Sequence, residues 1–107
     1  MKINCACGHQ IIDGADGMPN KARVFPDQSW GDVLDAIDAA IEQSGPTAAE
    51  KEAACMAIRA RLNRETRLAW QCSVCAALYV DDARSEAWRF ESETPETAVG
   101  LFRGKDN

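Results

Sequence analysis

The spacing of hydrophobic positions divides the chain into β-like ends and a helical middle. From Thr66 onward apolar residues recur with a period of two, which is typical of half-buried strands. Short apolar segments bounded by turn-forming residues give the same indication near the amino terminus. The strands predicted in this way cover residues 2–5, 10–12, 22–25, 66–72 and 77–80, with a last one around Trp88 and Phe90.

The middle of the chain predicts two helices. The first begins at Ser29, where Ser29 and Asp32 have the spacing of a capping box. Its apolar row repeats at helical spacing and comprises Trp30, Val33, Leu34, Ile37, Ala40 and Ile41. The second follows Gly45-Pro46 at once and begins with a second capping-box pair, Thr47 and Glu50. So short a connection favours an antiparallel helical hairpin.

Composition excludes several functional classes. At 107 residues the chain has the size of one domain, and with 46% hydrophobic and 27% charged residues it is an ordinary globular sequence. The net charge of −5 argues against a protein that coats nucleic acid or an anionic membrane. No signal peptide or membrane span is expected, so we predict a cytoplasmic protein. In such a reducing compartment, paired cysteines are more often metal ligands or redox thiols than disulfides.

Four of the five cysteines form two close pairs, each where one strand ends and the next begins. The first pair lies in Cys5-Ala-Cys7-Gly8-His9 and the second in Cys72-Ser-Val-Cys75. Two such turns supply the four thiolates that a closed tetrahedral zinc site needs. We therefore predict one structural Zn²⁺ as the cofactor, with these metal ligands: Cys5, Cys7, Cys72 and Cys75.

The residue after each pair tests this interpretation. In such a turn it often takes a left-handed backbone conformation that points amide hydrogens at sulfur. Gly8 adopts that conformation freely, whereas Ala76 does so at a cost of roughly 1 kcal/mol. The single spacer residue between Cys5 and Cys7 is also shorter than usual.

The cysteine turns, over residues 2–13 and 66–91, resemble the zinc-ribbon class, in which two cysteine-bearing β turns clamp one metal. A longer pattern is similar to that of a family of small uncharacterised bacterial proteins. Its segments are Asn4-Cys5-x-Cys7-Gly8-His9-x-Ile11, Asp27-Gln28-x-Trp30, Cys72-x-x-Cys75 and Leu78-Tyr79-Val80. The resemblance implies a bacterial, cytosolic protein and supplies no activity.

The predicted fold class is α+β: a zinc-ribbon-like antiparallel β unit with an inserted two-helix hairpin. Within a single domain over residues 1–107 we expect four parts. They are a β knuckle (1–27), the helical hairpin (29–65), a second β knuckle (66–92) and a carboxyl-terminal tail (93–107). The tail has a helix start at Pro95, and Val99, Leu101 and Phe102 are expected to dock it.

Several residues allow alternative interpretations. His9, the only histidine, either replaces a cysteine ligand or lies on a strand edge just past the turn. Cys55 in the second helix is predicted to be a buried thiol. A thiol redox protein would need one cysteine pair without metal at a helix start, and neither pair is predicted there.

The aromatic and basic residues raise the question of nucleic acid. Trp30, Trp70 and Trp88 lie on periodic apolar faces, which favours core packing over base stacking. The one basic cluster is Arg59, Arg61, Arg64 and Arg67. Its default interpretation is a solvated helix end, and a local phosphate or acidic-partner site is the alternative.

The functional prediction is a non-catalytic structural-zinc protein that serves as a protein-binding or adaptor module. Four protein ligands close the metal, so no position stays open for water or substrate, and no enzyme is expected. The partner is predicted to be another protein. A nucleic-acid-binding zinc ribbon and a thiol redox protein are the two alternatives.

Overall fold

The chain folds into strands at both ends and two long helices between them. The computed structural model describes residues 1–105, and for residues 97 and 98 the backbone alone. The strands are β1 (Lys2–Asn4), β2 (Gln10–Ile12), β3 (Lys21–Val24), β4 (Arg67–Gln71), β5 (Leu78–Asp81) and β6 (Ala87–Phe90). The helices are α1 (Asp27–Glu42), α2 (Ala48–Glu65) and the short α3 (Pro95–Ala98). The predicted α+β class is confirmed, and residues 106 and 107 of the predicted tail lie outside the described part.

The elements group into two compact units. One, which we call the sheet unit, comprises Met1–Val24 and Arg67–Asn107. The other, the hairpin unit, is Phe25–Thr66 and contains α1 and α2. Within residues 1–105, no helix is long and apolar enough to cross a membrane.

The sheet unit contains two antiparallel sheets. β1 and β2 form a small hairpin in which Ile3 pairs with Ile11. The other four strands lie in the order β3-β4-β5-β6, with every neighbouring pair antiparallel. β3 pairs with β4 although residues 25–66 separate them, so this register brings distant parts of the sequence together.

Trp70 is at the centre of the sheet unit. It is 0% exposed and belongs to a buried cluster with Cys5, Ile11, Cys72, Ala77 and Tyr79. Its indole Nε1 donates a hydrogen bond to Asp13 Oδ2 at 2.9 Å, and Lys21 Nζ lies 3.0 Å from Asp13 Oδ1. The hydrogen bond from Trp70 and the contact with Lys21 lower the pKa of Asp13. The one polar atom of the buried indole therefore has a charged partner, as buried donors require.

β4 is buried on both faces. The tail is attached to its last residue, Gln71, by hydrogen bonds. The Gln71 side chain donates from Nε2 to the Ala76 carbonyl at 3.2 Å. Its Oε1 accepts hydrogen bonds from the backbone N–H groups of Gly100 (3.1 Å) and Leu101 (3.0 Å). Of the three side chains predicted to dock the tail, Val99 and Leu101 are exposed, so the prediction is wrong for them, and Phe102 is half-buried. The tail is instead attached by backbone hydrogen bonds to a buried amide.

The helix starts differ from one another in how they are capped. α2 follows the prediction, since the Glu50 backbone N–H donates to Thr47 Oγ1 at 3.1 Å. The predicted capping box of Ser29 and Asp32 is wrong. α1 begins two residues earlier, at Asp27, with Pro26 as the N-terminal flanking residue at φ −62° and ψ 133°. Pro26 has no N–H to satisfy and its fixed φ suits the start of a helix, which explains the earlier beginning.

The hairpin unit buries little apolar surface. Val33 is the one fully buried residue of α1, and α2 has none. Trp30 is 49% exposed, and in the sheet unit Trp88 is 57% exposed, so core packing is correct for Trp70 alone. The prediction of a buried Cys55 is also wrong, since that thiol is exposed. Two helices can bury only one face of each against the other, which leaves the remaining apolar positions uncovered.

Trp70→Ala tests the assigned core. We expect it to lower the free energy of unfolding by about 3–5 kcal/mol, because it removes a fully buried indole and leaves a cavity. Urea denaturation of the zinc-supplemented protein, followed by circular dichroism, measures the change. Trp88→Ala is the matched control and should cost less than about 1 kcal/mol at its exposed position. Equal losses in the two variants would contradict this assignment of the core.

Candidate metal centre

The first cysteine turn, or knuckle, joins β1 to β2. The Cys5 backbone N–H donates to the His9 carbonyl at 2.9 Å, and the Gly8 N–H donates to the Cys5 carbonyl at 2.9 Å. These two bonds close the chain into a tight loop with Cys7 near its tip. The single spacer residue is therefore sufficient to form a closed turn.

The second knuckle joins β4 to β5 with the same pattern of hydrogen bonds. The Cys72 N–H donates to the Ala77 carbonyl at 2.9 Å, and the Ala76 N–H donates to the Cys72 carbonyl at 3.0 Å. This loop is one residue longer than the first, in keeping with the extra spacer between Cys72 and Cys75. Both cysteine pairs thus lie on turns of one kind.

Both knuckles contain the left-handed residue that the sequence predicts. Gly8 has a φ of 97° and Ala76 a φ of 65°. An L-residue with a side chain pays roughly 1–2 kcal/mol for this conformation. Ala76 adopts this unfavourable conformation in a buried position directly after Cys75. Its carbonyl accepts a hydrogen bond from the Gln71 amide. The surrounding hydrogen bonds therefore keep a strained turn in place.

The two knuckles bring their four sulfur atoms into one group. The Sγ atoms of Cys5, Cys7, Cys72 and Cys75 all lie within 4.8 Å of one another. Cys5 Sγ is 3.5 Å from Cys75 Sγ, and Cys7 Sγ is 3.7 Å from Cys72 Sγ, so each close pair joins the two knuckles. A tetrahedral metal with bonds of about 2.3 Å to sulfur separates its ligands by about 3.8 Å. The donor set and its spacing therefore fit a four-thiolate metal ion.

Electrostatics also favour a cation at this point. Burial raises the pKa of the Cys5 thiol, but hydrogen bonds from Tyr79, the Cys7 backbone and Cys75 outweigh it and lower the pKa to about 6. For Cys7, a backbone hydrogen bond at His9 is outweighed by burial and by the neighbouring thiols, which raise the pKa to about 11. Grouped thiols therefore resist joint ionisation, and a bound divalent cation offsets that resistance.

Tyr79 and Arg89 support the group from β5 and β6. The Tyr79 hydroxyl accepts hydrogen bonds from the Ala6 N–H and from Arg89 Nε, each at 3.2 Å. The same hydroxyl is among the groups that lower the pKa of the Cys5 thiol, a ligand candidate. Such outer contacts orient the ligands of metal sites. Tyr79, which the sequence pattern indicates only as part of Leu78-Tyr79-Val80, is the one buried residue of β5.

The structure gives His9 and Cys55 other surroundings. His9 Nε2 lies 3.3 Å from Ser73 Oγ, beside the second knuckle, and His9 is not part of the sulfur group. Cys55 lies in α2 and does not join the group either. Across residues 1–105, no second group of three or more His, Cys, Asp or Glu side chains converges in this way.

Gly8→Ala tests the left-handed turn. It should lower stability by about 1–2 kcal/mol, because Ala must adopt a φ that L-residues disfavour. No atom lies within 4 Å of the added Cβ, so the loss would come from the backbone and not from a clash. Gly14→Ala is the control: it has equal space and no positive φ, and should cost much less. Thermal unfolding of both variants provides the comparison, and a harmless Gly8→Ala would refute the strain argument.

Comparison with known proteins gives a family and no activity. No curated protein and no solved structure matches the chain. One family model does match, and it covers residues 1–99, nearly the whole chain. The protein therefore belongs to the family described as Domain of unknown function (DUF8617).

Proposed function

We propose that this protein is a non-catalytic zinc protein of the cytoplasm that acts by binding another protein. The observation that carries the proposal is the grouping of four thiols, two from each knuckle, within 4.8 Å. In a cytoplasmic protein, a four-thiolate set of this geometry suits Zn²⁺, which prefers sulfur ligands in a tetrahedron. Cys5, Cys7, Cys72 and Cys75 would hold the ion, and its contribution would be to the stability of the fold.

A structural role follows from the ligand count. Four protein ligands fill a tetrahedral zinc, whereas a catalytic zinc keeps one position for water. Within the described residues, the carboxylates form no group of three or more that could hold a second metal ion. A surface that binds a partner is then the function that best suits the molecule.

One observation favours the nucleic-acid alternative, and others oppose it. Trp88 and Phe90 are exposed two residues apart on β6, where bases could stack. The Trp88 indole N–H, however, donates to Asp82 Oδ2 at 2.9 Å, which places a carboxylate beside the ring. In the basic cluster, Arg61 forms an ion pair with Glu65 at 3.1 Å. With a net charge of −5, phosphate attraction would depend on few arginines.

The thiol redox alternative needs a cysteine pair that cycles without metal. Two close sulfur contacts, Cys5 with Cys75 at 3.5 Å and Cys7 with Cys72 at 3.7 Å, join thiols of different knuckles. That arrangement supports metal binding by all four thiols more than exchange within one pair.

Elemental analysis tests the zinc proposal. Protein expressed with zinc supplementation should carry about one zinc ion per chain. Cys72→Ser should lose the ion and much of the β structure, since binding at such a site contributes on the order of 10 kcal/mol to folding. Cys55→Ser is the matched control at an exposed thiol and should keep both. Negligible zinc in the wild-type protein, with a disulfide that cycles, would favour the redox alternative.

A salt titration tests the choice of partner. Zinc-loaded protein should bind mixed single-stranded and duplex nucleic acid no tighter than about 10⁻⁶ M, even at low salt. Tighter binding that weakens steeply with salt would overturn the proposal. The quadruple variant with Arg59, Arg61, Arg64 and Arg67 changed to Ala would identify the surface, provided that its zinc content and circular dichroism stay unchanged.

A further inference from the structure

α1 has a second apolar face that the hairpin does not cover. Val33, with Ala36 and Ala40, lines a cavity of about 190 Å³ between the two helices, and Val33 is 1% exposed. Trp30, Leu34 and Ile41 are 49%, 43% and 62% exposed. Residues four and seven positions apart share one side of a helix, so these three side chains form a continuous stripe. The stripe extends over twelve residues, and the eleven steps between its ends span about 16 Å along the helix axis.

The same helix is strongly acidic. Its charged residues are Asp27, Asp32, Asp35, Asp38 and Glu42, and no Lys or Arg occurs anywhere in residues 25–50. None of these five carboxylates forms an ion pair in the part of the chain that the structure describes. Glu42 lies in the last turn of α1, where a negative charge opposes the helix dipole. α1 therefore carries five carboxylates that form no ion pair within the described residues.

The acidic row runs beside the apolar stripe. Asp38 is four residues after Leu34, and Glu42 is four residues after Asp38, so the three are neighbours along one side of α1. We call the surface formed by Trp30, Leu34, Asp38, Ile41 and Glu42 the acidic–apolar face. Asp32 lies two residues from both Trp30 and Leu34 and therefore points away from it.

We propose that the acidic–apolar face docks a basic amphipathic helix of a partner protein. This inference rests on the proposed protein-binding function and specifies its surface and partner class. A straight stripe at helical spacing suits a partner helix that packs its own apolar row against it. Lys or Arg beside that row would pair with Asp38 and Glu42 and would offset the unfavourable charge at the end of α1.

The negative charge of the face favours a basic helix over three other possible occupants: a second copy of the chain, an anionic membrane and a phosphate backbone. A second copy that used the same face would bring two identical acidic rows together, which like-charge repulsion disfavours. An anionic membrane surface or a phosphate backbone would be repelled in the same way. A cationic and partly apolar helix complements both the acidic and the apolar residues of the face.

The test uses synthetic peptides of about four helical turns. The first has leucines in one helical row and lysines elsewhere. The second keeps the leucines and replaces every lysine with glutamate, and the third has the composition of the first in an order without an apolar row. Fluorescence anisotropy of each labelled peptide, titrated with the zinc-loaded full chain at physiological salt, measures binding. Only the first peptide should bind, and equal binding of all three, or none, would overturn the proposal.

Matched variants locate the site. Trp30→Ala should weaken binding at least about tenfold, as loss of a central aromatic contact does at interfaces. Trp88→Ala, another half-exposed tryptophan, should leave it unchanged. Trp30 packs edge-to-face on Phe25 at a centroid distance of 5.6 Å, so Trp30→Ala also removes a contact within the hairpin unit. Ile41→Ser changes a more exposed position and should weaken binding in the same direction with the helix content intact.

The charge contribution is tested separately. Asp38→Asn combined with Glu42→Gln should weaken binding about threefold to tenfold at physiological salt, and the difference should shrink at high salt. Asp32→Asn combined with Glu52→Gln removes the same charge away from the face and should have little effect. Equal losses in the two double variants would show general charge attraction and not docking at this face.

Two further outcomes are decisive. If sedimentation shows a dimer that Trp30→Ala abolishes, the occupant is a second copy and the proposal is wrong. If no peptide binds while zinc is present at one ion per chain and nucleic acid does not bind, this face is ruled out and the proposed function remains. The metal and nucleic-acid measurements thus test the proposed function independently of the peptides.

Discussion

The approach of four sulfur atoms to within 4.8 Å is the contact that joins the two β turns of this protein. β1 and β2 have three residues each, and a hairpin of that length is not stable in water by itself. Ile11 and Cys5 anchor it in the core cluster, and the knuckle places Cys7 beside Cys72. Closing the long loop between Cys7 and Cys72 costs only a logarithmic entropy term, whereas a metal–thiolate site contributes far more. A metal bound by the four thiols would offset the strain at Ala76.

Much of this arrangement follows from local sequence chemistry. The cysteine pairs, with Gly8 after the first, predict two turns of one geometry, and both have it. Thr47 and Glu50 predict the start of α2, because a hydroxyl three residues before a free backbone N–H is placed to accept a hydrogen bond from it. The order of strands and helices follows from a change in hydrophobic period, and such changes depend on neighbours in sequence alone.

The features that sequence analysis missed depend on contacts between distant residues. Periodicity places Trp30 and Trp88 on apolar faces as clearly as Trp70, but it does not say whether anything covers that face. The same limitation applies to Cys55. Gln71 looks like a polar residue on the open side of a strand, but it is buried with its amide hydrogen-bonded to the Ala76 carbonyl and to the tail. The Tyr79 hydroxyl meets the first knuckle at the Ala6 N–H, and these two residues are 73 positions apart in the sequence.

The point at which the helical hairpin enters and leaves the sheet has a wider consequence. Val24 and Arg67 are directly opposed in the antiparallel register of β3 and β4, so residues 25–66 begin and end at adjacent positions. A two-residue turn of the Asn-Gly type could bridge those positions without a change in register. The pairing of β3 with β4 therefore does not depend on the length of the helical segment between them. A change in the length or sequence of this segment could leave both cysteine turns in place, so the helices and the sulfur group could vary separately.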